Sequence, residues 1–361
     1  RSELLLEKNW KFTREDNNEF IKPAFDDSKW QSVTVPHDWA IYGPFSSLND
    51  KQEVAISQDG QKEAMEHAGR TGGLPFVGVG WYRTEFDVPQ FQAGKRATIL
   101  FDGAMSHANV YINGQKVGYW PYGYNSFHFD ITKYLKPGEK NTLAVRLENL
   151  PESSRWYPGA GLYRNVHLII TEDAYIPVWG TYITTPSVNE KFAKVNVRTK
   201  VVLPEGADPA KYSVETSVWN PNKQKLTAVR TSLAQMKYNN NQAEQEFVIQ
   251  APSLWSPEMP ALYSAETRLY EGDKLKDIYT TPFGIRSIEI IPDKGFFLNG
   301  KRTVFKGVCN HHDLGPLGAA VNDAAIRRQI RILKDMRCNA IRTSHNMPAP
   351  ELIRACDEMG M

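Results

Sequence analysis

The chain has 361 residues, too many for one ordinary domain; at about 100 to 200 residues per domain, two or three are expected. Hydrophobic residues at 41% and charged residues at 23% exclude a disordered chain. Lys+Arg 43 against Asp+Glu 41 leaves a formal +2 with no basic stripe, which argues against nucleic acid as a partner, and no run of about 18 apolar residues offers a membrane span.

From Trp10 to about Thr171 short strand-like runs alternate with turn signals. "GWYRTEFDV" alternates aromatic or apolar with polar residues, "ATILFDG" follows, and "ANVYINGQKVGYW" reads as a hairpin turning at Asn113-Gly114. "NTLAVRLEN" and "RNVHLIIT" add strands, so residues 1–172 are expected to form a two-sheet sandwich of jelly-roll type. Between Gly43 and Gly78 the rhythm breaks into a polar, Gly-punctuated stretch expected to be a functional or mobile loop. Nine Trp and sixteen Tyr suit packing between sheets, with a minority available as sugar-stacking platforms.

Residues 173–289 hold a second strand-rich stretch, from "WGTYITTP" through "AKVNVRTKVVL", "YSVETSVWN", "AEQEFVIQ" and "LYSAETRLYEG" to "KDIYTTPFGIRSIEI". Six or seven alternating strands predict an immunoglobulin-like sandwich, without the cysteine pair of antibody domains.

From residue 290 the pattern changes. A turn at Asn299-Gly300 precedes a strand ending near Asn310, and Asn322 or Asp323 caps a helix whose Ile326, Ile330 and Leu333 share one face. "CNAIRTS" is a second strand, and Pro350 opens a second helix with Leu352, Cys356 and Met359 on one face and Gly360 at its end. Strand, helix, strand, helix with long crossovers requires parallel pairing. Residues 290–361 are therefore expected to be the first units of a (β/α)8 barrel, left incomplete, because a parallel sheet needs both faces covered. Cys309 near the end of one strand and Cys338 near the start of the next are too far apart for a disulfide, and all three cysteines, Cys356 included, read as small buried apolar groups.

Two polar clusters fall at the C-terminal ends of the two parallel strands, where such folds collect their chemistry. After the first come His311, His312 and Asp313; after the second, Arg342, His345 and Asn346. Singly each has a bland reading as a satisfied histidine or an ion pair, but strands about 4.8 Å apart let both clusters line one cavity. Sequential histidines point to opposite faces and no zinc spacing accompanies them, so a polar pocket for a hydroxyl-rich ligand fits better than a metal centre. "GVGWYR" and "GAGLYR" lack the third glycine and the strand-to-helix context of a dinucleotide loop. "YPGAGLYRNV" reads as a tight bend entering a strand.

Taken together these stretches resemble the family 2 glycoside hydrolases, the β-galactosidase, β-glucuronidase and β-mannosidase group. "GWYRTEF", "FDGAMSHANVYINGQKVG" and "RWYPGAGLYRNVHL" are similar to its jelly-roll sugar-binding domain, and "LWSPEMPALY" and "FGIRSIEI" to its immunoglobulin-like domain. "FFLNGKRTVFKGVCNHHDLGPLGAA" and "LKDMRCNAIRTSHNMPAPELIRACDEMGM" are similar to the start of its catalytic barrel.

The resemblance implies retaining hydrolysis of β-glycosides by two glutamates, both expected after Met361, so that the chain as given holds no catalytic residue. It further implies that His311 and His345 hold the sugar beside the scissile bond and that Arg342 supports the nucleophile. Asp313 and Asn346 stand beside them as hydroxyl partners, and His312 receives no role. Some members place an Asp before the aromatic-rich stretch, where this chain has "ESSRW", and Ser153, Ser154 or Arg155 cannot supply that carboxylate. "HHDLGPLGAA" resembles the β-galactosidase-like branch, so terminal β-galactosides are the expected substrates, with glucuronides the alternative.

No cofactor is expected to be required, although members of the family sometimes use Mg²⁺ or Na⁺; a homo-oligomer is left open. The chain opens on Arg1 and resembles periplasmic or secreted bacterial members, which makes export the expectation. The rival from another class is a non-catalytic carbohydrate-binding protein of two sandwiches with residues 290–361 as a docking tail.

Overall fold

The computed structural model describes residues 1–68, 75–88, 94–154, 156–235 and 242–361. Arg155 and residues 69–74 of the Gly43 to Gly78 loop lie outside them.

The first unit is a sandwich of two antiparallel sheets. One sheet runs Ser2–Leu5, Val166–Thr171, Arg96–Phe101, Phe127–Asp130. The other runs Gln31–Val33, Trp10–Thr13, Gly78–Asp87, Lys140–Asn149, Ala108–Ile112, Gln115–Trp120. Between them Trp10, Phe12, Trp39, Tyr82, Ile99, Phe101, Val110 and Leu143 form one buried core, so many of the rings pack sheet against sheet. The hairpin turns at Asn113 (φ 50) and Gly114 (φ 81), the left-handed pair that matches the twist of the flanking strands. The Gly43 to Gly78 loop is less irregular than its composition suggests, because Lys51–Val54 pairs with Met65–Ala68 in a separate two-stranded ribbon.

The second sandwich packs Thr181–Val188, Phe192–Lys200 and Gln242–Gln250 against Lys225–Ser232, Tyr212–Trp219, Leu262–Glu271 and Lys274–Gly284. Its core holds Val195, Val197, Val218, Phe247, Ile249 and Tyr263. The stretch "KDIYTTPFGIRSIEI" is two strands, not one. After Gly284 the buried Ile285 plugs the sandwich core, and Ile288–Ile291 then joins Gly295–Leu298 and Lys301–Arg302 in a separate sheet.

Residues 307–360 supply the strand-helix pairs. Gly307–Asn310 and Ala340–Thr343 pair in parallel, with Cys309 opposite Arg342. The first helix, Asp323–Asp335, is capped by the Asn322 side chain accepting from the Ala325 amide at 3.0 Å, which satisfies one of the open donors of its first turn. The second, Pro350–Met359, ends at Gly360 in the left-handed conformation. Ile326, Ile330 and Ala355 meet between the helices, and Ile341 of the second strand packs on them. Alternation along the strand therefore turns the neighbouring Arg342 to the opposite face. Among the described residues no helix is long and apolar enough to cross a membrane.

Cys309 is exposed, and Cys338 and Cys356 are half-buried; all three are free thiols. The expectation of three buried cysteines thus fails most clearly at Cys309, because it lies opposite Arg342, away from the helices.

Candidate functional site

The two parallel strands release their chains side by side, and the rings that follow come together. His311 and His345 lie edge to face with centroids 5.6 Å apart. Trp156 of the jelly roll touches both, at 5.6 Å from His311 and 5.5 Å from His345. Its indole N–H donates to the Tyr124 hydroxyl at 3.1 Å, which fixes the ring's orientation. Both histidines are exposed on the open side of this cluster.

The other four residues singled out in the sequence divide. Asn346 accepts a 2.7 Å hydrogen bond from the Tyr122 hydroxyl, so it too is tied to the jelly roll. Arg342 stays within its own strand pair, donating to Ser344 Oγ at 3.2 Å and approaching Cys309 Sγ at 3.8 Å. Asp313 is half-buried; the Tyr157 phenol near it is raised in pKa mainly by burial and then by Asp38, with the Asp313 charge a lesser cause, and among the described residues no hydrogen bond joins Asp313 to the histidines. His312 is half-buried beneath the site, packed edge-on against Tyr124 and Tyr163.

The His312 bond to the Pro158 carbonyl at 2.9 Å requires the proton on Nε2, since a carbonyl can only accept. Burial holds its pKa down to about 4, so the ring is neutral at ordinary pH. Burial likewise pushes the Tyr124 phenol up to about 12. Neither group is poised for proton transfer near neutrality. A cavity of about 50 Å³ lies here, lined by Tyr124, Tyr163, Arg164, His311, His312 and Asn346 among others. It is far smaller than the roughly 300 Å³ of a typical small-molecule pocket, which leaves the exposed faces of His311, His345 and Trp156 as the surface a sugar would meet.

A second cluster locks the first strand-end loop to the jelly roll. Asp38, 1% exposed, accepts from the amides of Ala40 at 2.9 Å, Ala160 at 3.0 Å and Ala319 at 2.8 Å, and from the Tyr157 hydroxyl at 2.5 Å. Burial raises its pKa, and those hydrogen bonds oppose the rise. Gly318 is required there: its φ is +60, and a Cβ would sit 2.4 Å from Asp38 Oδ2.

Sequence reasoning missed Trp156, Tyr122 and Asp38. Trp156 sits in the quoted "RWYPGAGLYR" stretch, one residue beyond the position compared for a carboxylate; Asp38 carries no signal of its own, because its partner Ala319 lies 281 residues away. Among the described residues no group of three or more His, Cys, Asp or Glu is placed to hold a metal ion.

A jelly roll, an immunoglobulin-like sandwich and a parallel strand-helix unit with a ring-lined polar cluster at its strand ends define a multidomain, mainly β architecture. The family assignment rests on three matches in chain order. The sugar binding domain of glycosyl hydrolases family 2 matches residues 5–172, the family's central domain residues 175–286, and its TIM barrel domain residues 289–361. The chain belongs to glycosyl hydrolase family 2.

It is 42% identical to the β-galactosidase BoGH2A of Bacteroides ovatus, over 98% of this chain and 39% of that protein. It is 30% identical to a β-glucuronidase of Bacteroides fragilis, over 100% of this chain and 49% of that protein. A solved β-glycosidase from Bacteroides vulgatus superimposes with a TM-score of 0.88 at 32% identity, over 100% of this chain and 44% of that one. The chain thus spans less than half the length of these relatives.

Proposed function

We propose that the chain is the sugar-gripping part of a retaining exo-β-glycosidase that removes terminal β-D-galactosyl residues. The observation that carries this reading is the cluster of His311, His345 and Trp156 at the ends of two parallel strands, in a chain of family 2. Imidazole and amide groups offer donors and acceptors to sugar hydroxyls, and the indole offers an apolar face to the C–H side of the ring. The 42% identity to a β-galactosidase supports galactose as the sugar. The β-glucuronidase relative supports a second reading, in which the sugar is a glucuronide.

In this scheme His311 and His345 hold hydroxyls of the sugar beside the scissile bond, with Asn346 and Asp313 as further hydroxyl partners. Arg342 supports the nucleophile. Retention of configuration needs two glutamates about 5 to 5.5 Å apart; both are expected outside residues 1–361, and the 361-residue chain alone is expected to be inactive. No cofactor is required, and the protein acts in the periplasm or outside a bacterial cell.

The test is an assay of the full-length gene product on nitrophenyl β-galactoside, β-glucuronide and β-mannoside, with the 361-residue chain run beside it. Turnover of the galactoside, with a β-configured product at early times, is the expected result. Preference for the glucuronide would replace the sugar, and turnover of none would remove the glycosidase reading.

A further inference from the structure

The loop that carries His345 and Asn346, residues 344–349, leaves the second barrel strand and returns into the second helix at Pro350. Its own barrel segment holds it at the start, where the Ser344 amide donates to the Asn310 carbonyl at 2.8 Å. The middle is held from outside the barrel. Arg164 of the jelly roll donates through Nη2 to the Met347 carbonyl at 2.8 Å, and Nη1 reaches the Pro348 carbonyl at 3.5 Å. The same Nη1 donates to the Tyr124 carbonyl at 2.9 Å and the Asp102 carbonyl at 3.1 Å. One planar fork therefore spans the loop bearing His345 and the segment bearing Tyr124, whose hydroxyl holds Trp156.

Arg164 is 1% exposed, its guanidinium lies 5.0 Å from the Tyr163 ring centroid, and among the described residues no carboxylate is within ion-pair distance of it. Burying a cation on carbonyl oxygens alone is a costly way to gain stability. It is an effective way to fix two backbone segments in one plane, because the guanidinium is rigid and its donors point in set directions. Tyr122 adds a second hold, from the same segment of the jelly roll, on the Asn346 side chain. Next to the loop, Asn165 donates to Glu351 at the start of the second helix.

We propose that Arg164 and Tyr122 are positioning residues for the sugar site, setting the loop 344–349 so that His345 and Asn346 meet the substrate in one geometry. The proposal rests on the reading of His345 as a sugar contact. A binding group must be held to within about 0.5 Å to be productive; the barrel segment holds this loop at its ends, at Ser344 through the Asn310 carbonyl and Arg342 and at the Ala349 carbonyl through the Leu352 amide, whereas the contacts on Asn346, Met347 and Pro348 come from the jelly roll. The jelly roll is then a structural part of the site through side chains that never touch the sugar.

The test is a double-mutant cycle in the full-length protein with Arg164→Met, Tyr122→Phe and His345→Ala, read as kcat/KM on the glycoside that the wild type turns over. Arg164→Met is expected to lower it about 10- to 100-fold and Tyr122→Phe about 3- to 10-fold. If both act through the loop, adding either to His345→Ala costs less than about twofold further. Losses that multiply instead, or near-normal turnover in both single variants, would overturn the proposal.

Should Arg164→Met fail to melt cooperatively, Tyr122→Phe decides alone, because Tyr122 is 44% exposed and its ring is retained. Amide hydrogen exchange gives a readout that needs no turnover. Exchange in residues 344–349 should quicken at least about tenfold in Tyr122→Phe while the first sandwich is unchanged. Unaltered exchange there contradicts positioning, whereas a wild type that turns over no glycoside contradicts the glycosidase reading instead.

Discussion

The two sandwiches meet the barrel segment in different ways. The jelly roll does so with buried charge: Asp38 on the Ala319 amide, Arg164 on the Met347 carbonyl, and Asn165 on Glu351, a carboxylate that is itself 5% exposed. The junction with the immunoglobulin-like sandwich uses neutral or half-buried donors on backbone carbonyls. Trp255 Nε1 of the sandwich donates to the Asp357 carbonyl at 2.8 Å, and Lys334 of the first barrel helix donates back to the sandwich's Pro257 carbonyl at 3.0 Å. Beside these contacts runs an open groove of about 740 Å³ lined by residues such as Asn189, Pro257, Met259 and Asn339. A junction that must define a site to a fraction of an ångström carries directional, desolvated groups, and one that only carries a domain can stay wet. The first junction reaches His311, His345 and Asn346, and the second reaches none of them.

The sharpest way to break this contrast is Asp38→Ala. It strands three amides and the Tyr157 hydroxyl in a buried setting, and orphaned groups cost about 1–3 kcal/mol each. Melting temperature should fall by roughly 10 °C or more, together with loss of protease resistance at residues 313–320. A shift of about 2 °C or less would show that the buried carboxylate is no clamp.

A smaller effect is expected from pH. Burial works against protonation of His167, but its bonds to Asp102 at 3.0 Å and Glu3 at 2.9 Å outweigh that and raise its pKa from 6.5 to about 9. The folded ring then keeps a proton that the unfolded chain has lost. Its stabilisation is full below about pH 6.5 and disappears as pH rises through about 9. Melting temperature should decline over that window, and His167→Gln should flatten the decline. An identical slope in the variant would remove His167 from the account. His312 works in the opposite sense: its pKa is held down to about 4, so it destabilises the fold as pH drops below 6.5.

The smallest effect belongs to the other junction. Trp255→Phe removes one hydrogen bond to the Asp357 carbonyl, worth about 1 kcal/mol, and should leave kcat/KM of the full-length protein within about twofold of wild type. A tenfold loss would mean that the second sandwich also governs the site.

Much of this architecture can be read from local rules. Asn113-Gly114 and Asn299-Gly300 adopt the positive φ values that such turns need, Asn322 caps its helix, and Gly360 ends the next. Both strand-end clusters stand where a parallel pair delivers them, and His311 and His345 meet. Two strand features escape local reading. Lys225–Ser232 is an edge strand whose half-buried positions are Thr227, Val229 and Thr231 while Leu226 and Ala228 are exposed, so no apolar alternation marks it, and Ile285 divides what looks like one strand by plugging a core.

The interdomain residues are illegible for another reason. Asp38 stands in unremarkable local sequence, and Arg164, although inside the quoted "RWYPGAGLYRNVHL", carries no local mark of its task; only tertiary contacts 281 and 183 residues away make them buried linkers. His312 is the same case, since its partner is a carbonyl 154 residues earlier.

The central claim, that the His311, His345 and Trp156 cluster grips a monosaccharide at the reacting bond, is tested most directly by His345→Ala in the full-length protein. The prediction is a fall in kcat/KM of at least about tenfold on the preferred nitrophenyl β-glycoside, with the melting temperature within about 2 °C of wild type because the ring is exposed. Turnover within about twofold of wild type would contradict it.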